Sequence, residues 1–253
     1  MAPEISRPYS SSAKPRRRRS SPYNEHPVPL SPLVPIQFRH RDSHPTMTSL
    51  PTAAAILAAA DLPASHKDQA QALLDQFATL PPKERETERA TFAARGFSLF
   101  FGENAAIDGS PDYEAQRQVQ WASHCWLRPR VVVRPTSAQE VSTALSLCRF
   151  FDMTFSIRGG GHFHAPGFTS NDGGVVISTA AFDHVHLSDD QTRADVGVGL
   201  RWMQVYQALE PFGLAVTGGR IPTVGVPGLI LGGGISFRHD EEGLGAAGVS
   251  NYE

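Results

Sequence analysis

Arg158-Gly159-Gly160-Gly161-His162, Thr217-Gly218-Gly219-Arg220 and Gly228-Leu229-Ile230-Leu231-Gly232-Gly233-Gly234 are three glycine runs, each preceded by a short apolar stretch. Glycine is favoured where backbone turns through positive φ or approaches a ligand closely, because a Cβ obstructs both. Runs of unobstructed backbone N–H groups form concave anion sites suited to phosphate. Read together, the runs, one of them ending in a histidine, predict a backbone-lined slot for a large phosphate-bearing cofactor. Two further patterns compete. Gly197-Val198-Gly199 leads to Trp202 in the context of a dinucleotide fingerprint, but an indole stands where close helix–strand packing needs the third glycine, so a Rossmann reading fails. His162-x-His164 and His184-x-His186 each put two imidazoles on one side of an extended segment. A metal needs three or four convergent ligands, and no carboxylate has obvious ligand spacing to either pair. No metal site is therefore expected, and a metal-binding protein using His162/His164 and His184/His186 is the least favoured reading.

The elements that must position these residues follow from periodicity and punctuation. Residues 51–118 form a helical N-terminal region. Ala54, Leu57 and Ala58, then Ala70, Leu73, Leu74 and Phe77, recur at helical spacing, with breaks at Pro63 and Pro81-Pro82. Residues 102–111 read as a loop. Val131–Val133 is a β-branched strand between prolines. Ser137-x-x-Glu140 opens a helix with Val141, Ala144, Leu145 and Cys148 on one face. Thr154–Ile157 is the next strand and runs into the first glycine cluster. Val175–Ser178, His184–Leu187, Ala194–Val198 and Leu214–Thr217 read as further short strands, and Arg201–Leu209 as a helix burying Trp202, Val205, Tyr206 and Leu209. A β-α-β opening followed by mixed strands predicts an α+β fold rather than a regular parallel sheet.

Bulk composition narrows the classes. The chain has 253 residues, 40% hydrophobic and 19% charged, with a net charge of −2. Residues 1–46 carry eight basic against three acidic residues, so the remainder is mildly acidic and unsuited to a nucleic-acid surface. Residues 1–50 are a Pro-, Ser- and Arg-rich stretch expected to be a disordered basic tail. The Arg16–Arg19 run reads as a solvated tail, with a nuclear address as the alternative. Met47 is a candidate alternative start. Two cysteines, Cys125 and Cys148, cannot make a disulfide framework. No apolar run approaches the length of a membrane span, and the first thirty residues lack the apolar core of a secretory signal. No membrane partner is expected, and the compartment stays unassigned with cytoplasm as the default.

The order P-x-V-V-V-R-P-T-S-x-x-E-V, R-G-G-G-H, G-G-V-V-I-S, V-G-x-G-x-x-W, G-G-R-x-x-x-V-G and G-x-x-L-G-G-G resembles the FAD-binding (PCMH-type) domain of the vanillyl-alcohol-oxidase superfamily. The similarity is to its branch of berberine-bridge-enzyme-like and 6-hydroxynicotine-oxidase-like FAD-linked oxidoreductases, and it covers residues 119–253. The resemblance implies a two-subdomain α+β fold, a β-α-β subdomain beside a mixed-sheet subdomain. It implies FAD held by Arg158, Gly159, Gly160, Gly161, His162, Phe163, Gly218, Gly219, Val224, Gly225, Gly228, Gly232, Gly233 and Val249, with His162 bonded to the flavin 8α carbon. Ile221 before Pro222 replaces the cysteine of bicovalent members, so attachment is expected at His162 alone. The activity implied is an oxidase passing a hydride from an alcohol or amine carbon to flavin, and then to O₂ with release of H₂O₂. The partners implied are a small-molecule substrate and O₂. Family members continue beyond this point into a substrate domain, so the chain is expected to be a truncated form without an assigned catalytic base. A non-catalytic flavin-binding protein is the alternative.

Overall fold

The structure is a computed structural model and describes residues 36–37 and 51–252. The basic stretch over residues 1–50 lies outside the described residues except for Ile36–Gln37, which form strand β1. Helices α1 (Ala53–Ala59), α2 (Ala64–Thr79) and α3 (Pro82–Phe101) follow. Pro63 and Pro81 stand at the N-caps of α2 and α3, and Pro82 occupies the first turn of α3, where its missing N–H is harmless. Then come β2 (Ala105–Ile107), α4 (Tyr113–Arg117), β3 (Val131–Val133), α5 (Ala138–Phe150), β4 (Phe155–Arg158), β5 (Val175–Ser178), β6 (Val185–Leu187), β7 (Ala194–Val196), α6 (Trp202–Leu209), α7 (Val226–Leu231), α8 (His239–Glu242) and β8 (Val249–Asn251).

Two four-stranded sheets organise these elements. The first has the order β2-β3-β5-β4, with β3, β5 and β4 parallel and β2 antiparallel at one edge. The second has the order β6-β7-β1-β8. Val131–Val133 and Val175–Ser178 are buried throughout, as expected of parallel strands covered on both faces. On one face Val131, Val133, Val175 and Ile177 meet α3 and α5 through Phe97, Leu147 and Phe151. Phe77 of α2 closes this core edge-on to Phe151, at 5.0 Å between ring centroids. Each fully buried side chain of this size contributes about 1.5–3 kcal/mol. Gly96, inside α3, lets the helix approach: a Cβ there would lie 2.8 Å from the Phe151 ring. A second core gathers Val196, Leu200, Trp202, Val205, Leu209, Val226 and Ile230.

Several expectations need correction. Loop 102–111 contains β2, which is short and apolar and exists because it pairs with β3. Leu214–Thr217 is no strand and keeps a single bridge residue, Ala215. α1 buries Ile56, with Ala53 and Leu57 packed against the core, while Ala54 and Ala58 are exposed. α3 runs to Phe101 and stops at Gly102, whose φ of 53° ends the helix. α5 buries Thr143, Ala144, Leu147 and Cys148, with Val141 and Leu145 half-buried beside them. Its capping is divided: Ser137 Oγ accepts from the Glu140 N–H at 3.1 Å, but the Glu140 carboxylate takes the Thr136 N–H rather than that of Ser137.

Candidate functional site

β4 and β5 are parallel neighbours, and their last residues, Arg158 and Ser178, stand side by side. Just beyond these carboxyl ends lies a cavity of about 490 Å³. In α/β sheets this is where ligands generally sit. Its walls include Arg158, Gly159, Gly160 and Ser178 on one side and Gly199, Arg201 and Thr223 on the other. None of the lining residues is acidic, and two are arginines.

The first glycine cluster meets the Gly225 loop, between the second and third clusters, here. A Cβ on Gly160 would fall 2.5 Å from Gly225 backbone, and one on Gly225 would fall 2.4 Å from the Gly160 nitrogen. Two loops can cross this closely only if both residues are glycine. A Cβ on Gly159 would strike the Pro227 ring at 2.6 Å. Arg201 Nη2 donates to the Gly160 carbonyl at 3.2 Å and ties α6 to the same crossing.

Arg158 is 1% exposed, and none of its three guanidinium nitrogens has a hydrogen-bond partner among the described residues. Burial lowers its pKa to about 10. A buried guanidinium with no counter-charge costs several kcal/mol, and an oxyanion seated against it removes that cost. The lining therefore fits an anionic, phosphate-bearing ligand.

His162 stands beyond the crossing, partly exposed, its Nε2 3.3 Å from Thr223 Oγ1 of the cavity wall. Its ring stacks on Trp121 at 5.6 Å between centroids and 27° between planes. Three successive carbonyls of this loop are held by one neighbouring segment. Trp121 Nε1 donates to His162 O at 2.6 Å, Cys125 Sγ reaches Phe163 O at 3.9 Å, and His124 Nε2 donates to His164 O at 2.6 Å. The last bond puts a proton on His124 Nε2, since a carbonyl only accepts. The imidazole of His162 is thus oriented by stacking and by a fixed backbone.

The other expected residues fall into distinct settings. Gly218 and Gly219 press against the Trp202 indole, where a Cβ would come within 2.3 and 2.5 Å. Their lack of a side chain is accounted for by this packing. Gly197 and Gly199 face the Phe182 and Thr179 carbonyls in the same way. Gly228 is exposed on α7 with open space around its Cβ direction, Gly232 caps that helix, and Gly233 adopts a φ of 95°. Leu229 touches both Gly219 and Gly234, so the third cluster joins the second. Phe163 is exposed and packs edge-on to Phe168 at 4.8 Å. Val224 donates from its N–H to Ile221 O and accepts from Trp202 N–H. Val249 lies in β8 and packs on the second core, away from the cavity lining. The two H-x-H pairs do not converge into a single group. Trp121, His124, Arg201 and Thr223 carried no signal in the sequence, because each acts through a contact distant along the chain.

Residues 129–253 match a family model described as FAD binding domain. A FAD-dependent monooxygenase of Penicillium roqueforti (prx3) is 42% identical over 168 residues, covering 66% of this chain and 33% of the relative. One of Aspergillus niger (yanF) is 41% identical over 158 residues, covering 62% and 27%. Among solved structures, 6-hydroxy-D-nicotine oxidase from Arthrobacter nicotinovorans superposes with a TM-score of 0.53 at 28% identity, covering 56% of this chain and 31% of that one. Physcomitrella patens BBE-like 1 gives 0.52 at 26% identity, covering 61% and 33%. The chain spans about a third of the length of these relatives. With the fold and cleft above, its C-terminal half belongs to the FAD-binding domains of the vanillyl-alcohol-oxidase superfamily.

Proposed function

We propose that this chain is the flavin-holding part of an FAD-linked oxidase, with FAD tethered covalently through His162. The observation that carries the reading is the acid-free cleft at the ends of β4 and β5, lined by a buried, unpartnered Arg158 and by Gly159 and Gly160. Arg158 and the backbone of Gly159–Phe163 hold the pyrophosphate. Gly225, Gly228, Gly232 and Gly233 give the rest of the cofactor a side-chain-free path beside Val224, and Gly218 and Gly219 set that path by seating on Trp202. His162 presents a ring nitrogen, steadied by Trp121 and adjusted by Thr223, to the flavin methyl carbon.

Bound FAD supplies a two-electron acceptor for a hydride leaving an alcohol or amine carbon, with O₂ as the final oxidant and H₂O₂ as the product. The protein orients the cofactor and neutralises its central charge. The monooxygenase names of the fungal relatives also fit O₂ as co-substrate. A second reading, a flavin-binding protein without turnover, is favoured by one observation. Leu231, Ile235, Phe237 and Leu244 are 79%, 51%, 80% and 47% exposed, apolar surface of a kind that marks a contact with further protein.

The test is to precipitate the purified chain with acid and measure flavin in the pellet. Yellow colour is expected to stay with the parent protein and to leave with the supernatant in His162→Ala. A colourless native protein, or colour that His162→Ala leaves in the pellet, overturns the tether. Peroxide released from an alcohol and amine panel separates the oxidase from the non-catalytic reading, and ¹⁸O incorporated into product would point to monooxygenation instead.

A further inference from the structure

We propose that His184, His186 and Asp195 form a binding site for a borderline transition-metal dication, of which zinc is the representative. His184 immediately precedes β6 and His186 lies within it, so the period of two puts both imidazoles on one face. Asp195 of β7 stands directly opposite His186 in the antiparallel register. The ligating atoms of all three lie within 4.8 Å of one another. His184 Nε2 and Asp195 Oδ1 are 3.5 Å apart, close to the roughly 3.3 Å edge of a tetrahedron with metal–ligand distances of about 2.0–2.1 Å. The imidazoles stack with 5.0 Å between centroids and 23° between planes.

Two imidazoles with one carboxylate suit zinc, copper or nickel and are poor for magnesium or calcium, which demand oxygen ligands. Water would fill the remaining position. The site is solvent-accessible, with the His184 and Asp195 side chains 39% and 29% exposed. No second group of three such ligands occurs among the described residues.

The scaffold is held independently of any ion. In the turn between the strands, Asp190 Oδ1 accepts from Ser188 Oγ, Thr192 N–H and Thr192 Oγ1 at 2.6, 3.1 and 2.8 Å. Arg193 N–H donates to Ser188 Oγ, and Gly197 N–H to the His184 carbonyl at 2.8 Å. These bonds fix the register that sets Asp195 against His186. Because β6 is the end strand of its sheet, a bound ion would clip that edge to β7. None of the three residues lines the glycine cleft, so the site stands apart from the flavin reading.

The test is calorimetric titration of the chelator-treated full chain with zinc chloride, and with magnesium chloride as the contrasting ion. The parent protein is expected to take up zinc with micromolar affinity and no magnesium. His186→Ala and Asp195→Asn should each weaken the zinc affinity by more than the roughly tenfold that losing even an outer-shell partner costs. His239→Ala, remote in sequence and outside the cluster, should leave it unchanged. Circular dichroism and metal-free melting check that the variants fold. His186→Gln, which keeps a polar side chain of similar reach, provides a second variant if His186→Ala unfolds. Absence of zinc uptake, or zinc uptake equal in all folded variants, overturns the proposal.

Discussion

A guanidinium that is 1% exposed with three unpartnered nitrogens is a local instability that the rest of the domain must bear. Replacing Arg158 with methionine keeps the stem and removes the charge. The ligand-free protein is then expected to unfold later, by about 1–3 kcal/mol, since a well-packed apolar side chain often outperforms an unpaired buried charge. In the His162→Ala background, where flavin is not tethered, flavin affinity is expected to fall at least about tenfold, or ~1.4 kcal/mol. Thermal melting of dialysed protein and flavin fluorescence after gel filtration read the two effects. A variant both less stable and equally able to hold flavin would mean that Arg158 serves packing alone. Arg158 and His162 were legible in the sequence because they stand inside the motif. What sets their chemistry was not. Trp121 reaches His162 across forty-one positions, and Thr223 reaches it across sixty-one, separations at which no local pattern survives.

Elements were legible in proportion to how locally they are determined. α2 shows its full apolar stripe, Ala70, Leu73, Leu74 and Phe77, and all four are buried. β2 showed nothing, because a three-residue strand acquires its structure from β3 rather than from propensity. The opposition of His186 and Asp195 required the register of the β6–β7 hairpin, which the Asp190 turn sets and no spacing rule conveys. α5 carries a pH signature of its burial. Its Cys148 thiol is pushed by desolvation from 9.0 to about 12, and burial likewise raises the Tyr206 hydroxyl of α6 from 10.0 to about 12. In the unfolded chain these groups lose their protons at ordinary values, whereas the folded chain retains them. Unfolding therefore releases protons in alkali. The stability contribution is intact below pH 9.0 and is lost between there and about 12. Denaturant midpoints are expected to fall above pH 9.0, with each fully titrating group adding up to about 1.4 kcal/mol per pH unit. Cys148→Ala should flatten this slope while lowering stability at neutral pH. A slope unchanged by that substitution would assign the alkaline loss to other groups.

At the scale of the molecule, the loop after β4 and the segment leading into α7 cross where Gly160 and Gly225 leave no room for a Cβ on either side. Gly160 also lines the cleft, so ligand binding and the crossing of these two segments share the same atoms. Gly225→Ala is expected to retain both cores, judged by circular dichroism, with a loss of about 1–3 kcal/mol from overpacking. The more discriminating effect concerns the ligand. In the His162→Ala background, where flavin cannot be tethered, FAD at a hundredfold excess over its dissociation constant should add about 2.7 kcal/mol of stability. ADP, which carries the pyrophosphate but no flavin ring, should supply part of that increment, and riboflavin much less, if Arg158 is the main anchor. Adding Gly225→Ala should abolish the FAD increment, because moving one loop off the other opens the wall that holds the phosphates. An increment that survives Gly225→Ala, or one that riboflavin reproduces in full, would place the binding energy away from the glycine crossing and on the flavin ring instead.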